Sequence, residues 1–521
     1  YVQKIDAGLH FASEIKALAL LSGRKPEVNT TQILRYLING YRFLYKGTDT
    51  FFVGVKELPA ATNAVLKKAE EPAPKPYWRL AYAPTPMTAA DAIAGTRERL
   101  FESLRLRLRA DVPLAFCLSG GVDSATLAAI AAIHFGHDIH CFSIIDRDNR
   151  YDETANIEAM VEHLACNHHV THTSTAGFFE RMERLVTYHD APVATISYYV
   201  HSFLSEAISD SGFKVAVSGT GADELFTGYY DHYAMWLAHM QYLAKSDASI
   251  DMQSLVADWN SGMGAHVQNP LLQDPLAFVS APGQRDHLLL NRDYFNSLMN
   301  QPFDDPFSEA DHGSDLLRCR MLNELFHEVI PVILHEDDRN SMMVSVENRT
   351  PYLDRTLARF LYSVPSEHLM RDGFTKRLLR EAGKGLVPDS VRLDKRKRGF
   401  NASIGSLVDL NDANSRERLL ADGPIFNLIR RDMIERVFAD DPKVGSSFND
   451  VCRALFTECK DLAVVSPGRR RETLAHNNPL APINLFSSPR VVASHESPVK
   501  QRIVVITVDE GRRMVGPPLT Q

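Results

Sequence analysis

The chain has 521 residues, 45% of them hydrophobic, and a formal net charge of −8, with an isoelectric point near 6.2. That length predicts two or three domains with sizeable cores. The acidic balance argues against a nucleic-acid coat or a membrane-surface protein, which would be basic, and favours an enzyme of small molecules. No run of about 20 apolar residues occurs, so no segment is expected to span a membrane. Six cysteines (Cys117, Cys141, Cys166, Cys319, Cys452 and Cys459) are scattered without a C-x-x-C pair, which suits reduced thiols in a cytoplasmic protein. The chain opens on Tyr1 rather than methionine, and its N-terminus is expected to be incomplete.

Residues 1–5 and 9–12, around a turn at Asp6-Ala7-Gly8, predict a hairpin. Ser13 is expected to cap a helix starting at Glu14. Residues 31–45 read as helical, and Thr50 to Val55 as a β-rich run. Glu70 to Pro86 reads as a linker or crossing loop. An arginine-rich helix is expected from Ala89 to Arg109. Strands are then predicted at 112–118, 139–145, 169–171 and 214–217. Helices at 122–134, 153–164, 176–189 and 198–209 separate them, an alternation that implies a doubly wound parallel sheet in an α/β fold. Residues 232–465 read as mostly helical, 466–498 as a Ser/Pro/Asn/Arg-rich linker, and 502–508 as a single strand. No function is assigned to 499–521.

The most informative stretch is V-P-L-A-F-C-L-S-G-G-V-D-S, 112–124. An apolar strand run breaks at Ser119, Gly120 and Gly121, and helical spacing begins at Val122. Glycines let backbone N–H groups close on an anion, and the helix N-terminus adds its positive dipole end. Ser119 and Ser124 offer hydroxyl donors, and Asp123 can hold Mg²⁺ beside phosphates. A Walker-type loop would need a lysine where this turn has none. The arrangement suits pyrophosphate as a leaving group, with attack at an α-phosphate. In this stretch S-G-G-x-D-S resembles the motif of the PP-loop ATP-pyrophosphatases.

The strand at 214–217 runs into S-G-T-G-A-D-E-L-F-T-G-Y, 218–229, a second glycine turn at a strand's carboxyl end. A G-x-G-x-x-G fingerprint fails there, because Glu224 stands where the last glycine would. Ser218 and Gly219 are expected to meet the nucleotide, with Asp223 joining Asp123 on Mg²⁺. Residues 335–354 alternate charge as a solvated helix face would. Glu347, Arg349 and Asp354 nevertheless fall among apolar residues, where pairing or ligand contact is expected. R-L-D-K-R-K-R-G-F, 392–400, fits a loop that folds a lysine onto phosphate. Cys166, His168, His169 and His172 resemble a metal site at a glance, but ordinary packing roles are expected of them.

Together these motifs resemble the asparagine synthetase family of glutamine-dependent amidotransferases, from residue 1 to about 465. L-H-F-A-S-E-I-K-A-L (9–18) and G-V-K-E-L-P (54–59) resemble the end of that family's glutaminase domain and the segment after it. The resemblance implies a remnant of an Ntn-type glutaminase domain over 1–85. It implies a synthetase domain of PP-loop, adenine nucleotide α-hydrolase-like fold over 86–465, with a helical C-terminal half. Leu118, Ser119, Gly120, Gly121, Asp123 and Ser124 would then bind ATP, Ile144 adenine, and Ser218 and Gly219 the nucleotide. Asp123 and Asp223 would hold Mg²⁺, and Lys397 would stabilise departing pyrophosphate. Thr220, Glu347, Arg349 and Asp354 are the substrate-side candidates. The implied reaction adenylates a carboxylate, aspartate first, and amidates it with ammonia drawn from glutamine. No nucleic acid or membrane partner is implied, and a homodimer is allowed.

Two departures stand out. The family's S-G-E-G glutamate is Thr220 here, which can share a hydrogen bond but cannot take a proton at neutral pH. This opens the acceptor to other carboxylates, such as a sugar uronic acid in surface-polysaccharide assembly. The family's nucleophilic N-terminal cysteine would also precede Tyr1. Readings from other classes are a PP-loop tRNA-modifying enzyme and a non-catalytic scaffold. The acidic balance opposes the first, and the presence of Asp123, Asp223 and Lys397 opposes the second.

Overall fold

The structure, a computed structural model, describes residues 1–5, 8–66, 73–146, 152–289, 291–396, 404–409, 411–439 and 504–507. Lys397 and the 466–498 stretch lie outside these residues. The chain divides into two units. The larger takes in residues 29–46 and the described residues from 80 to 439; the smaller takes in 1–28, 47–79 and the strand at 504–507.

In the larger unit, α1 (Thr30–Asn39) starts at Asn29, whose side chain accepts from the Gln32 amide. Gly40 ends it, and a short 3₁₀ turn at Tyr41–Phe43 follows. Helix α2 (Ala89–Arg107) begins in a reciprocal capping box between Thr88 and Asp91, which satisfies two end donors at once. Its buried face is Ala92, Thr96, Leu100 and Leu104, a residue every four positions.

Five parallel strands then form the sheet: β1 (Leu114–Cys117), β2 (His140–Ile145), β3 (Asn167–His172), β4 (Val215–Val217) and β5 (Glu347–Arg349). Their order is β5-β4-β1-β2-β3, every neighbouring pair parallel. Helices α3 (Val122–Ala129), α4 (Thr154–Leu164), α5 (Phe178–His189) and α6 (Ile196–Asp210) connect the first four strands. Central β1 and β4 are apolar and buried, as strands covered on both faces must be. At the edges, β3 is half-exposed and β5 is the polar tripeptide E-N-R. That polarity explains why β3 was only partly anticipated and β5 was not anticipated as a strand. Ala115, Phe142, Ile208, Phe213, Ala216 and Val346 pack into one core cluster around the sheet.

The chain runs from β1 outward through β2 and β3, then returns to place β4 on the other side of β1. The order therefore reverses between β1 and β4, and open α/β sheets bind ligands in the crevice beyond such a reversal. Both glycine turns sit there, one after β1 and one after β4.

The helical remainder includes α7 (Ala222–Phe226), α8 (Tyr230–Leu243), α9 (Leu316–Asn323), α10 (Ile330–Met343) and α11 (Arg377–Ala382). A buried ionic cluster joins α8 to α9 and the turn after it. Arg320, fully buried, reaches Glu309 (2.5 Å), Glu328 (2.8 Å), Glu324 (3.1 Å) and Asp231 (3.5 Å). Asp231, His232 and Glu324 have ligand atoms close enough for a metal ion. Arg320 already supplies the positive charge there, and His232 Nε2 lies 2.6 Å from Glu324.

In the smaller unit, Val2–Ile5 and Gly8–Phe11 pair antiparallel as a hairpin, with Val55–Lys56 on the other side of the first strand. The helix runs Ile15–Ser22 with Glu14 at its N-cap and no side-chain cap bond. Ser13 therefore does not cap it, and Glu14 instead pairs with Lys16 at 2.6 Å. Only Val55 of the Thr50–Val55 run enters a strand. The Thr50 hydroxyl donates to the Phe52 and Val55 carbonyls, and such local bonds compete with a ladder. Thr62–Leu66 pairs antiparallel with Lys75–Pro76 and with Val504–Thr507. Among the described residues, no helix is long and apolar enough to cross a membrane.

Candidate active site

The first turn is held before any ligand arrives. The Leu118 amide donates to the Phe142 carbonyl (2.8 Å) and the Ser143 hydroxyl to the Leu118 carbonyl (2.7 Å), which extends the β1–β2 ladder past β1. The Ser119 amide donates to Ser124 Oγ at 3.1 Å, and the two serine hydroxyls lie 3.2 Å apart. Gly121 is the N-cap of α3 with no side chain across its mouth. The start of α3 and the two hydroxyls thus lie together at the turn, an arrangement able to take an anion.

The second turn comes up against the first. The Ser218 amide donates to the Arg349 carbonyl (2.9 Å), continuing the β4–β5 ladder. A Cβ on Gly219 would lie 3.2 Å from the Ser124 amide nitrogen and 3.3 Å from Asp123 Cβ. A side chain on Gly219 would crowd the first turn, so the glycine favours this close approach. A Cβ on Gly228 would lie 1.5 Å from Asp223 Oδ1, so that glycine makes room for the Asp223 carboxylate.

Asp123 and Asp223 meet on a single cation, the ammonium of Lys376. Its Nζ lies 2.6 Å from Asp123 Oδ2 and 2.6 Å from Asp223 Oδ1. Burial alone would lower the Lys376 pKa, but the two carboxylates override it and hold it above its ordinary value. Lys376 is the N-cap of α11, with φ of 55°, a left-handed conformation that costs a lysine on the order of 1 kcal/mol. The ammonium is delivered at that cost. The Tyr352 hydroxyl donates to the Asp123 carbonyl at 2.8 Å and steadies the backbone behind the carboxylate.

One cavity collects most of the residues singled out from sequence. Leu118, Ser119, Asp123, Ser124, Ile144, Ser218, Gly219 and Thr220 all line it. Gly120 and Gly121 form the turn beside it. Glu347, Arg349 and Asp354 do not reach it, and their partners are framework groups. Arg349 holds Glu347 (2.9 Å) and the Arg107 and Arg109 carbonyls. Asp354 pairs with Arg107 (3.1 Å) and caps the Arg355–Leu361 helix. Strand alternation explains the outcome: Asn348, between the two charged residues of β5, lines the cavity instead.

The histidine-rich strand is likewise structural. His168 Nε2 lies 2.9 Å from Ser143 Oγ, and His140 and His169 meet at 3.3 Å. Sequence reasoning missed Lys376, Asp337 and His201. Asp337 and His201 also line the cavity, with His201 Nδ1 2.9 Å from Asp337 Oδ1. A lysine just before a helix, in F-T-K-R, reads as ordinary surface charge, and nothing local marks it as the bridge.

The sheet order, the facing glycine turns and the paired aspartates define an open parallel α/β unit with its candidate site beyond the carboxyl ends of the strands. Residues 95–458 match the family model described as asparagine synthase, and the chain belongs to that family. Among similar proteins, the amidase chyE of Penicillium rubens is 26% identical over 449 residues, covering 75% of this chain and 64% of that protein. The amidase chry2 of Gibberella zeae is 25% identical, covering 66% and 58%. Asparagine synthetase [glutamine-hydrolyzing] 3 of Bacillus subtilis is 26% identical, covering 76% and 62%. The chain thus spans about three-fifths of the length of these curated relatives.

Proposed function

We propose that the larger unit is an ATP-dependent ligase that adenylates a carboxylate and then amidates it with ammonia, releasing pyrophosphate and AMP. The observation that carries this reading is the meeting of Asp123 and Asp223 on Lys376, where the sheet order reverses. Two carboxylates offer the hard oxygen donors that Mg²⁺ favours beside phosphate, and the ion would take over the place that the Lys376 ammonium holds between them. When bound, that ion would neutralise charge on the pyrophosphate. The amides of Ser119–Ser124 and the start of α3 bind the phosphates, and Ile144 packs against the base. Lys397 is proposed to stabilise the leaving pyrophosphate. A carboxylate is a poor electrophile, so adenylation comes first and creates the leaving group that ammonia displaces.

Glutamine is the proposed source of that ammonia, given the glutaminase-like sequence of the smaller unit. The cytoplasm is the proposed location, consistent with free Cys117, Cys141, Cys166 and Cys319. Aspartate is the first acceptor proposed. A second reading, another carboxylate such as a uronic acid, draws on Thr220 in place of the family's glutamate and on the amidase names of two relatives. The deciding experiment incubates the full-length protein with ATP, Mg²⁺ and ammonia across a panel of carboxylates. Acceptor-dependent release of AMP and pyrophosphate supports the reading. Its absence with every carboxylate overturns it.

A further inference from the structure

Thr220 cannot act as an acid or base, yet it does not stand alone. Its hydroxyl donates to Asp337 Oδ2 at 3.4 Å, and it accepts from Ser218 Oγ at 3.2 Å. Asp337 projects from α10 across the cavity. Its other oxygen lies 2.9 Å from His201 Nδ1, on α6. An ionised carboxylate only accepts, so this contact puts the imidazole proton on Nδ1. The Asp337 side chain is 11% exposed and that of His201 29%, so the pair opens onto the cavity that also holds Asp123 and Ser218. A carboxylate therefore reaches the second glycine turn from a different helix.

Three neighbouring groups on β1, α6 and α10 are less suited to the task. Burial and then the Asp337 charge push the Cys117 thiol, on the β1 side, up to about 12. The same two causes hold the Tyr198 phenol, on α6, well above its ordinary value. Glu336, next along α10, is buried and accepts from the Ala194 amide at 3.0 Å, with His189 3.4 Å away. Of the carboxylates on the described residues of these elements, Asp337 is the one that meets the Thr220 hydroxyl.

We propose that Asp337, oriented by His201, takes the proton in the amide-forming half-reaction, with Thr220 serving as its hydrogen-bonding guide. This rests on the adenylating reading above. Ammonia attacks the acyl carbon of the adenylate, a C–N bond forms, and the carbonyl π pair moves onto oxygen. Asp337 removes one proton from the nitrogen, which has become cationic. The oxyanion then re-forms the carbonyl, the C–O bond to AMP breaks, and AMP leaves with that electron pair. Asp337 releases its proton to solvent.

The test uses the full chain with L-aspartate and D-galacturonate as acceptor probes and ammonium as nitrogen source. Two rates are measured in each variant: acceptor-dependent ATP–pyrophosphate exchange and amide formation. General-base loss commonly costs about 100-fold or more, so Asp337→Asn should lower amide formation at least about thirtyfold more than exchange. Asp337→Glu should recover part of that difference. Should Asp337→Asn not fold, His201→Gln carries the same comparison, with a smaller selective loss of amide formation. Equal losses in the two rates, or amide formation at the wild-type rate, overturn the proposal and leave the adenylating reading standing. No exchange by the wild-type protein with either probe overturns both for these acceptors.

Discussion

Lys376 Nζ lies 2.6 Å from Asp123 Oδ2, across 253 positions of sequence, and the same nitrogen reaches Asp223. Removing the lysine leaves two carboxylates facing one another with little water. Loss of one partner from such a buried cluster costs about 3–5 kcal/mol. Lys376→Met should therefore melt well below the wild type in EDTA, and millimolar Mg²⁺ should restore much of the difference. A variant that melts like the wild type in both conditions would show that the ammonium is not what holds the carboxylates together.

Asp123→Asn and Lys397→Ala address the proposed adenylation step directly. Each should reduce ATP–pyrophosphate exchange by about 100-fold or more, the usual effect of removing one electrostatic stabiliser. Circular dichroism should show the fold retained. Exchange at the wild-type rate in either variant would remove that residue from the mechanism.

Gly228→Ala is a steric test of the same carboxylate. The added methyl would fall on the Asp223 carboxylate, 1.5 Å from Oδ1 and 2.4 Å from Cγ. Asp223 must then swing away, and exchange should fall with Asp223→Ala as the comparison. Unaltered exchange would mean that Asp223 is not needed where it stands.

Burial pushes the Glu224 carboxyl up from 4.5 to about 7, and the Asp223 charge adds to it. Between those values the folded chain keeps a proton that the unfolded chain releases. The resulting stabilisation is whole below about pH 4.5 and is lost as pH rises through about 7. Glu224→Gln removes the ionisation and should flatten this dependence. At pH 8 the variant should be the more stable by on the order of 3 kcal/mol. Urea midpoints at pH 5 and pH 8 measure it, and equal pH slopes for the two proteins would contradict it.

Arg320 tests the ionic cluster away from the cavity. Arg320→Met leaves Glu324, Glu328 and Asp231 without their shared guanidinium. A loss of about 3–5 kcal/mol is expected, read as a lower urea midpoint. A midpoint within experimental error of the wild type would mean that the acids are neutralised by other means.

The turns at Ser119 and Ser218 were legible because each joins two periodicities with glycine between them, and that pattern is local. The parallel sheet followed from the same alternation. Strand β5 escaped because three polar residues at a sheet edge carry no apolar run, and without β5 the direction of Glu347 and Arg349 could not be inferred. Lys376 and Asp337 escaped for another reason. Their roles depend on partners more than a hundred positions away, and their immediate neighbours look like an ordinary helix start in one case and a solvated helix face in the other.

Helix α11 carries Lys376 at one end, and its other end is fastened, since Arg97 donates to the Ala382 carbonyl at 2.7 Å. Within it, Arg380 donates to the Thr375 carbonyl at 2.8 Å and also to the carbonyl of Arg392. The strut that sets the bridging ammonium thus also grips the backbone five residues ahead of Lys397. A displacement of Lys376 would be passed along this path to the Arg392 backbone, making α11 a mechanical link between the bridging ammonium and that segment.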